Sequence, residues 1–504
     1  METLIDRVVN FSDLLWAGTW NGEQALPFPP MVIVLLGVGL WMMVGLRFYP
    51  LRNLLPAFGT LFSRERKGDG KGEISPFAAL STALSGQVGT GNLAGVATAI
   101  SLGGPGAIFW MWVTALIGMA LAFAEGALAI RYRERAADGS YRGGPMSYIM
   151  RGLGPRWTWL AVLFCIGTLF SALVTGNGIQ ANSVADSINE LTGLDDWIGG
   201  IIVAVAVFIV IIGGIKSIGA VAERIVPVMA GTYILMALTA ILLDLGSIPE
   251  AFLRIFDGAF NPQAASGGFV GAAIIIAIRA GVARGLFSNE AGQGSTPIAH
   301  AVAQTDDPEK QGRFAMLGTF IDTIVICTMT ALVILTVEGE FTHRLADGSV
   351  EIVPHAWQSD LAGFAMTSGA FGTAFPMPVA GIPLGTLIAS VALLLFVFTT
   401  LLTWSYYGER AITFLYDRVP GSTARGEQRL HIAWRVLWCL VIFIGSFQDL
   451  ELVWRLGDIA NAAMALPNLV ALVALSGIVF ALARGQKTAG PDHEVRLPYN
   501  HSRR

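Results

Sequence analysis

The sequence predicts an all-α integral membrane protein with about eleven transmembrane helices, and three observations lead there. First, the 504 residues are 54% hydrophobic and only 13% charged, with a mean hydropathy of +0.62, whereas a soluble protein carries about 25% charged residues. Second, eleven segments are apolar over the roughly 20 residues that a helix needs to cross a bilayer. They run over 29–46, 76–102, 105–130, 157–185, 197–214, 219–245, 267–299, 313–337, 383–408, 430–447 and 453–484. Third, the cations sort to one side of those segments. Of the 32 Lys and Arg residues, 26 fall in the odd-numbered gaps between spans, at their edges, or in the C-terminal tail. Only Arg7, Arg254, Arg344 and Arg455 fall on the other side, and Arg279 and Arg284 lie inside the seventh span. A missed helix would mix the two sides. Positive loops stay in the cytoplasm, so the N-terminus is expected outside and the C-terminus inside.

Each segment has a place in that plan. Met1 to Trp20 mixes polar and aromatic residues, as an interfacial helix does, and lacks the features of a cleavable signal. The first span and a basic loop complete residues 1–75. The ten remaining spans divide into five and five, 76–245 and 246–484, followed by a cytoplasmic tail at 485–504. Five crossings per half force opposite orientations, which is the inverted-repeat plan of LeuT-type transporters. Both opening spans carry a glycine-rich tract: Ser85-Gly86-Gln87-Val88-Gly89-Thr90-Gly91-Asn92 in one and Arg279-Ala280-Gly281-Val282-Ala283-Arg284-Gly285 in the other. Lipid cannot hydrogen-bond an open backbone, so helix breaks at this depth must line a protein cavity. Paired breaks in matching halves mark the binding site of a secondary transporter.

The chemistry of the tracts fits that purpose. Each interior glycine costs a helix about 1 kcal/mol relative to alanine. Freed carbonyls can hold a desolvated cation, and the N–H groups that open the next half-helix can hold a carboxylate. The spacing Gly91-xxx-Gly95 also suits close helix packing, but the polar Gln87, Thr90 and Asn92 beside it favour an unwound segment. For Arg279 and Arg284, salt bridges to neighbouring helices are the expected use, with Glu125, Asp322 and Asp458 as partners of arginines or of open backbone. In the ninth span, Thr399 and Thr403 share one face and Thr400 and Trp404 the adjacent one. Their hydroxyls are hard ligands suited to a small cation or can bond back to their own helix. Gln180 and Asn182 read as hydrogen-bonding residues between helices.

Other classes are excluded. Cys165, Cys327 and Cys439 all lie in apolar segments and form neither a disulfide framework nor a zinc motif. The sequence has no P-loop or nucleophile elbow. The missing P-loop argues against an ATP-driven pump, and the six His, all in loops, at edges or in the tail, argue against an intramembrane metalloenzyme. No repeated pore-lining motif supports a passive channel.

Longer runs carry a resemblance. Gly89-Thr90-Gly91-Asn92-Leu93-Ala94-Gly95-Val96-Ala97-Thr98-Ala99-Ile100 and Gly103-Gly104-Pro105-Gly106-Ala107-Ile108-Phe109-Trp110-Met111-Trp112 resemble the alanine/glycine:cation symporter family. So do Gly143-Gly144-Pro145-Met146, Ser288-Asn289-Glu290-Ala291-Gly292 and Met464-Ala465-Leu466-Pro467-Asn468. The resemblance implies a LeuT-like 5+5 fold preceded by one extra N-terminal helix. It also implies sodium-coupled, sometimes proton-coupled, import of alanine or glycine across a bacterial cytoplasmic membrane, with sodium as coupling ion and no other cofactor. By the same resemblance the substrate carboxylate lies near the amides of Thr90 and Gly91. Gln180, Thr400 and Trp404 close around the amino acid, with the Trp404 ring excluding large side chains. The substrate ammonium meets carbonyls freed near Ala280 and Gly281. A sodium site lies between the carbonyls of Ser85 and Val88 and the hydroxyls of Thr399, Thr400 or Thr403. Asn92 occupies a position that binds a second sodium in some members of the superfold. Proton coupling would place the carrier at Glu125 or Asp322.

Overall fold

The computed structural model describes residues 4–486 apart from 27, 64–66, 69, 137–138, 262–269, 346–347 and 449. The tail expected at 485–504 therefore lies outside the described residues from 487 onward, as do Arg64 and Arg66 of the first basic loop and positions 267–269 of the seventh expected span. The described chain is helical apart from four short two-stranded ribbons. Among the described residues, seven helices are long and apolar enough to cross a membrane: Gly106–Tyr132, Pro155–Thr192, Gly214–Leu243, Pro308–Thr336, Leu384–Tyr416, Ala424–Gly445 and Leu452–Leu482. Pro30–Gly45 and Asp196–Ile211 are shorter apolar helices. The two spans expected to be interrupted are each built from pieces.

The first of these begins at Ser75, whose hydroxyl accepts the Ala78 N–H, with Pro76 pre-set at the first helical position. Helix Pro76–Gln87 then stops at Val88, whose ψ of 99° is extended. The chain resumes as one π turn over Gly91–Gly95 and an α-helix over Val96–Gly103. The sequence therefore breaks this helix where its glycines and polar side chains cluster.

The second break lies elsewhere than the arginine–glycine tract suggested. Helix Val270–Asn289 passes through Arg279–Gly285 without interruption, so the carbonyls of Ala280 and Gly281 are not freed. The glycines there serve packing. A Cβ on Gly281 would lie 2.3 Å from the Ala107 carbonyl oxygen, and one on Gly285 would lie 3.2 Å from the Thr114 Cβ. Both contacts are with helix Gly106–Tyr132, which approaches through this small-residue stripe. The chain opens one turn later, at Glu290–Ser295, where Glu290, Gly292 and Gly294 have φ of 56°, 83° and 89°. It closes again as helix Thr296–His300. The Gly-x-Gly spacing at 292–294 was the available signal, since such φ values suit glycine. Gly281→Val is expected to lower the melting temperature in detergent by several degrees, because overpacking against a fixed carbonyl costs about 1–3 kcal/mol. An unchanged melting curve would contradict the stripe.

Two further helices carry π turns inside them, Val174–Gly178 and Phe320–Cys327. Such turns displace side chains from the regular helical face and recur at functional sites. Helix Leu384–Tyr416 is unbroken and packs on both Pro76–Gln87 and the helix containing Val174–Gly178. The N-terminal helix Leu4–Ala17 is seated on the bundle, with the Trp16 indole buried and donating to the Asp458 carbonyl at 3.0 Å. At the opposite end the Arg133 guanidinium, 9% exposed, donates to the carbonyls of Ala301, Ala303, Lys71 and Thr305. It thereby ties the exit of the second broken helix to the entry of the first.

Candidate binding site at the two helix breaks

The first break faces helix Leu384–Tyr416. There the Thr400 hydroxyl oxygen lies 3.0 Å from the Ser85 carbonyl, 3.1 Å from the Val88 carbonyl and 2.9 Å from the Phe396 carbonyl. One hydroxyl proton can serve one acceptor fully, so this corner holds more oxygen lone pairs than protons. One turn on, the Thr403 hydroxyl lies 2.5 Å from the Ser85 hydroxyl and 3.1 Å from the Thr82 carbonyl. All four side chains, Thr82, Ser85, Thr400 and Thr403, are buried. Water-excluded carbonyl and hydroxyl oxygens without a cationic side chain form a donor set that suits a small hard cation. Thr399 is not part of this corner. Its hydroxyl donates back to the Phe396 carbonyl at 3.0 Å and faces the Met229 sulfur at 3.7 Å.

On the other side of the break, Gln180 reaches in from the helix that follows the Val174–Gly178 π turn. Its Oε1 accepts from the Thr90 N–H at 3.1 Å and the Thr90 hydroxyl at 2.8 Å. Gly89 lies between Thr400 and Gln180: a Cβ there would come within 2.6 Å of the Thr400 Oγ1 and 3.0 Å of the Gln180 Oε1. Gly91 abuts Phe287 and Ser288 of the second broken helix, with 2.9 Å from a built Cβ to the Phe287 ring. The structure thus brings Ser85, Val88, Thr90, Gly91, Gln180, Thr400, Thr403 and Trp404 into one neighbourhood. Ala280 lies apart from it, lining a separate cavity of about 770 Å³ with Thr98, Ser183, Arg284, Trp454 and Asp458. Gly281 faces helix Gly106–Tyr132, as described above.

The two breaks are joined by polar side chains. Gln87 Nε2 donates to the Asn289 carbonyl at 2.5 Å. Asn92 accepts the Gly89 N–H at 2.9 Å and donates to Asp322 Oδ1 at 2.6 Å. Asp322 also accepts the hydroxyls of Ser288 and Thr323, at 2.7 and 2.8 Å. Asn468 donates to Glu125 Oε1 at 2.6 Å and to the Gly292 carbonyl at 2.9 Å. Glu290 accepts the Ser295 hydroxyl at 2.5 Å and the Trp404 indole N–H at 2.9 Å. Among the described residues, Glu125, Glu290 and Asp322 are fully buried carboxylates with no ion-pair partner. Arg284, by contrast, pairs with Asp458 at 3.1 Å beneath the Trp454 ring, and Arg279 pairs with Asp13. These arginines staple helices at the end of the bundle that carries the N-terminal helix. Sequence reasoning missed Phe287 and Trp454, whose rings meet at a tilt with centroids 4.7 Å apart, between the cavity lined by Ala280 and the first break. Apolar aromatics in a membrane span carry no distinguishing signal. It also missed Gly176, for which Thr175-Gly176-Asn177-Gly178 was a readable cue.

No cluster of His, Cys, Asp and Glu that could hold a transition metal occurs among the described residues. The sequence profile of the sodium:alanine symporter family matches residues 18–494. An uncharacterized transporter of Haemophilus influenzae is 42% identical over 94% of each chain. The sodium/alanine symporter AgcS of Methanococcus maripaludis is 43% identical over 90% of this chain and 92% of its own. Among solved structures, MhsT in complex with L-phenylalanine aligns over 82% of this chain and 99% of its own, with 13% identity and a TM-score of 0.49. The matched relatives are transporters, not enzymes.

Proposed function

Because the chain belongs to the sodium:alanine symporter family, we propose that it imports a small neutral amino acid, alanine and/or glycine, together with Na⁺ by alternating access. The observation that carries this reading is the oxygen-rich corner where Thr400 meets the carbonyls of Ser85 and Val88, next to the Thr90–Gln180 contact. In this reading Na⁺ is held by the Ser85 and Val88 carbonyls with the Thr400 and Thr403 hydroxyls. The substrate carboxylate takes the amides of Thr90 and Gly91, displacing or sharing the Gln180 contact, and Trp404 bounds the side-chain space. Its ammonium is assigned to the carbonyls freed at the second break, Glu290–Ser295, which lies roughly two to three turns beyond Ala280 and Gly281. Na⁺ and substrate both order the Ser85–Asn92 strand, so each favours binding of the other. The repeats at 76–245 and 246–484, each opened by one broken helix, would rock around this fixed site in an inverted LeuT-like plan. In this reading the protein lies in a bacterial inner membrane with its N-terminus outside and its C-terminus in the cytoplasm, an orientation that the basic-residue asymmetry supports.

Labelled alanine uptake into proteoliposomes tests the function. Accumulation is expected with an inward sodium gradient and not without one, and uptake indifferent to both sodium and proton gradients would refute coupled transport. Single-channel currents would instead favour a passive channel. A second reading, proton coupling within the same fold, is favoured by the unpaired buried carboxylates Glu125 and Asp322. Uptake against pH at fixed sodium separates the two: sodium coupling leaves the sodium requirement in place at every pH.

A further inference from the structure

Glu290 holds an uncommon conformation. Its φ is 56°, a region in which Cβ crowds the backbone and glycine would sit freely. Strain of this kind persists where the surrounding structure over-determines it, and it gathers at functional sites. The side chain gives a reason. Glu290 is 1% exposed, and its Oε1 accepts the Trp404 indole N–H at 2.9 Å while its Oε2 accepts the Ser295 hydroxyl. The same Oε1 lies 3.4 Å from where a Cβ on Gly86 would be. One carboxylate therefore joins the second break to the indole on helix Leu384–Tyr416 and faces the helix that leads into the first break.

Trp404 is clamped on its other sides as well. A Cβ on Gly176 would lie 2.4 Å from the ring, so only glycine lets the indole lie against the π turn at Val174–Gly178. Tyr407 meets the ring edge to face at 5.5 Å. Trp404 follows Thr400 by four residues and so shares its helix face, next to Gln180 and the first break. A tryptophan has few rotatable bonds, and its N–H seeks a partner when buried. The bond to Glu290 selects one orientation of the ring.

We propose that Glu290 is a positioning residue, fixing the Trp404 indole so that the ring sets the upper size of amino-acid side chain the site admits. This rests on the substrate reading above and names the residue that enforces its size limit. Without the carboxylate the indole loses the bond that selects its orientation, and the ring can tilt between Gly176 and Tyr407 and release space for further methylene groups.

The test compares alanine with 2-aminobutyrate, one methylene longer, as competitors for sodium-driven alanine uptake. In the wild type the larger substrate is expected to compete about tenfold or more less well, the discrimination that a closed pocket gives one methylene. Glu290→Gly suits the backbone and removes the anchor, and it is expected to lower that ratio by about tenfold while kcat for alanine changes less than KM. Glu290→Gln keeps an oxygen acceptor and is expected to restore the ratio. Trp404→Phe, which lacks the N–H, is expected to match Glu290→Gly, and the double variant to add nothing, as for two ends of one interaction. An unmoved ratio in Glu290→Gly, or additive effects in the double variant, would overturn the proposal. Should Glu290→Gly fail to fold, an unmoved ratio in Trp404→Phe overturns it equally. A wild type that takes up neither amino acid overturns the substrate reading first, and this proposal with it.

Discussion

Thr400→Val is expected to raise the sodium concentration for half-maximal alanine uptake by about tenfold or more, since a hydrogen-bonding group facing a charge contributes about 1.5–3 kcal/mol. Valine keeps the shape of threonine and removes only the hydroxyl. That hydroxyl stands 3.0 and 3.1 Å from the Ser85 and Val88 carbonyls. Its loss removes the donor those carbonyls share in the sodium-free protein and one ligand in the sodium-bound one. Thr403→Val acts on the same corner through the Ser85 hydroxyl and the Thr82 carbonyl, and the same direction is expected. Thr399→Val is the discriminating comparison, because its hydroxyl bonds back within its own helix and faces Met229. Its sodium dependence is expected to stay that of the wild type. Linkage adds a second signature: at fixed subsaturating sodium, Thr400→Val also weakens alanine binding, because coupling between two ligands is reciprocal. Equal apparent sodium affinities in wild type, Thr400→Val and Thr403→Val would remove the corner as a sodium site.

The membrane character of the chain and its first break were legible in the sequence because both follow from composition. A shortage of charge and a run of glycines with Gln87, Thr90 and Asn92 leave few folded alternatives. The second break was misplaced for a reason that is equally physical. Gly281 and Gly285 look the same in sequence as the glycines at 86 and 89, but a helix-packing glycine and a helix-breaking one differ only in what lies opposite. For Gly281 that is the backbone of Ala107, which no local pattern can reveal. The positive φ at Gly292 and Gly294 left its trace as a Gly-x-Gly spacing, outweighed in the reading by two arginines whose role is to pair with Asp13 and Asp458. The threonines were resolved to a face but not to a partner. Helical periodicity puts Thr399 and Thr403 together, whereas the approach of the broken helix decides that Thr400 and Thr403 meet it and Thr399 does not. The link from Glu290 to Trp404 joins residues 114 apart in sequence and has no local signature.

Gly89→Ala is expected to have the largest effect of any single methyl group added to this chain, lowering sodium-driven alanine uptake by about a hundredfold or more through loss of both the cation corner and its neighbour. Gly89 has no positive φ, so its backbone would accept alanine, and the objection is space alone. The new Cβ would stand 2.6 Å from the Thr400 Oγ1 and 3.0 Å from the Gln180 Oε1. Neither group can retreat without loss. Thr400 sits on an unbroken helix with its hydroxyl among three carbonyls. Gln180 is held by Thr90 on one side and, through its Nε2, by the Thr175 carbonyl at 3.3 Å on the other. Moving either one opens the first break away from its partners. Gly95→Ala provides the contrast. It lies at the other end of the small-residue spacing that begins at Gly91, and its Cβ would meet nothing nearer than the Thr90 carbonyl at 3.9 Å. If the glycines acted as a packing stripe, both alanine variants would impair the protein through its melting temperature. If the break is the site, Gly89→Ala inserts and stays folded at the assay temperature, melting a few degrees lower, but does not transport, and Gly95→Ala transports. Measuring uptake and melting for the pair decides between these, and a Gly89→Ala protein with wild-type uptake would sink the assignment of the first break as the place where ion and amino acid meet.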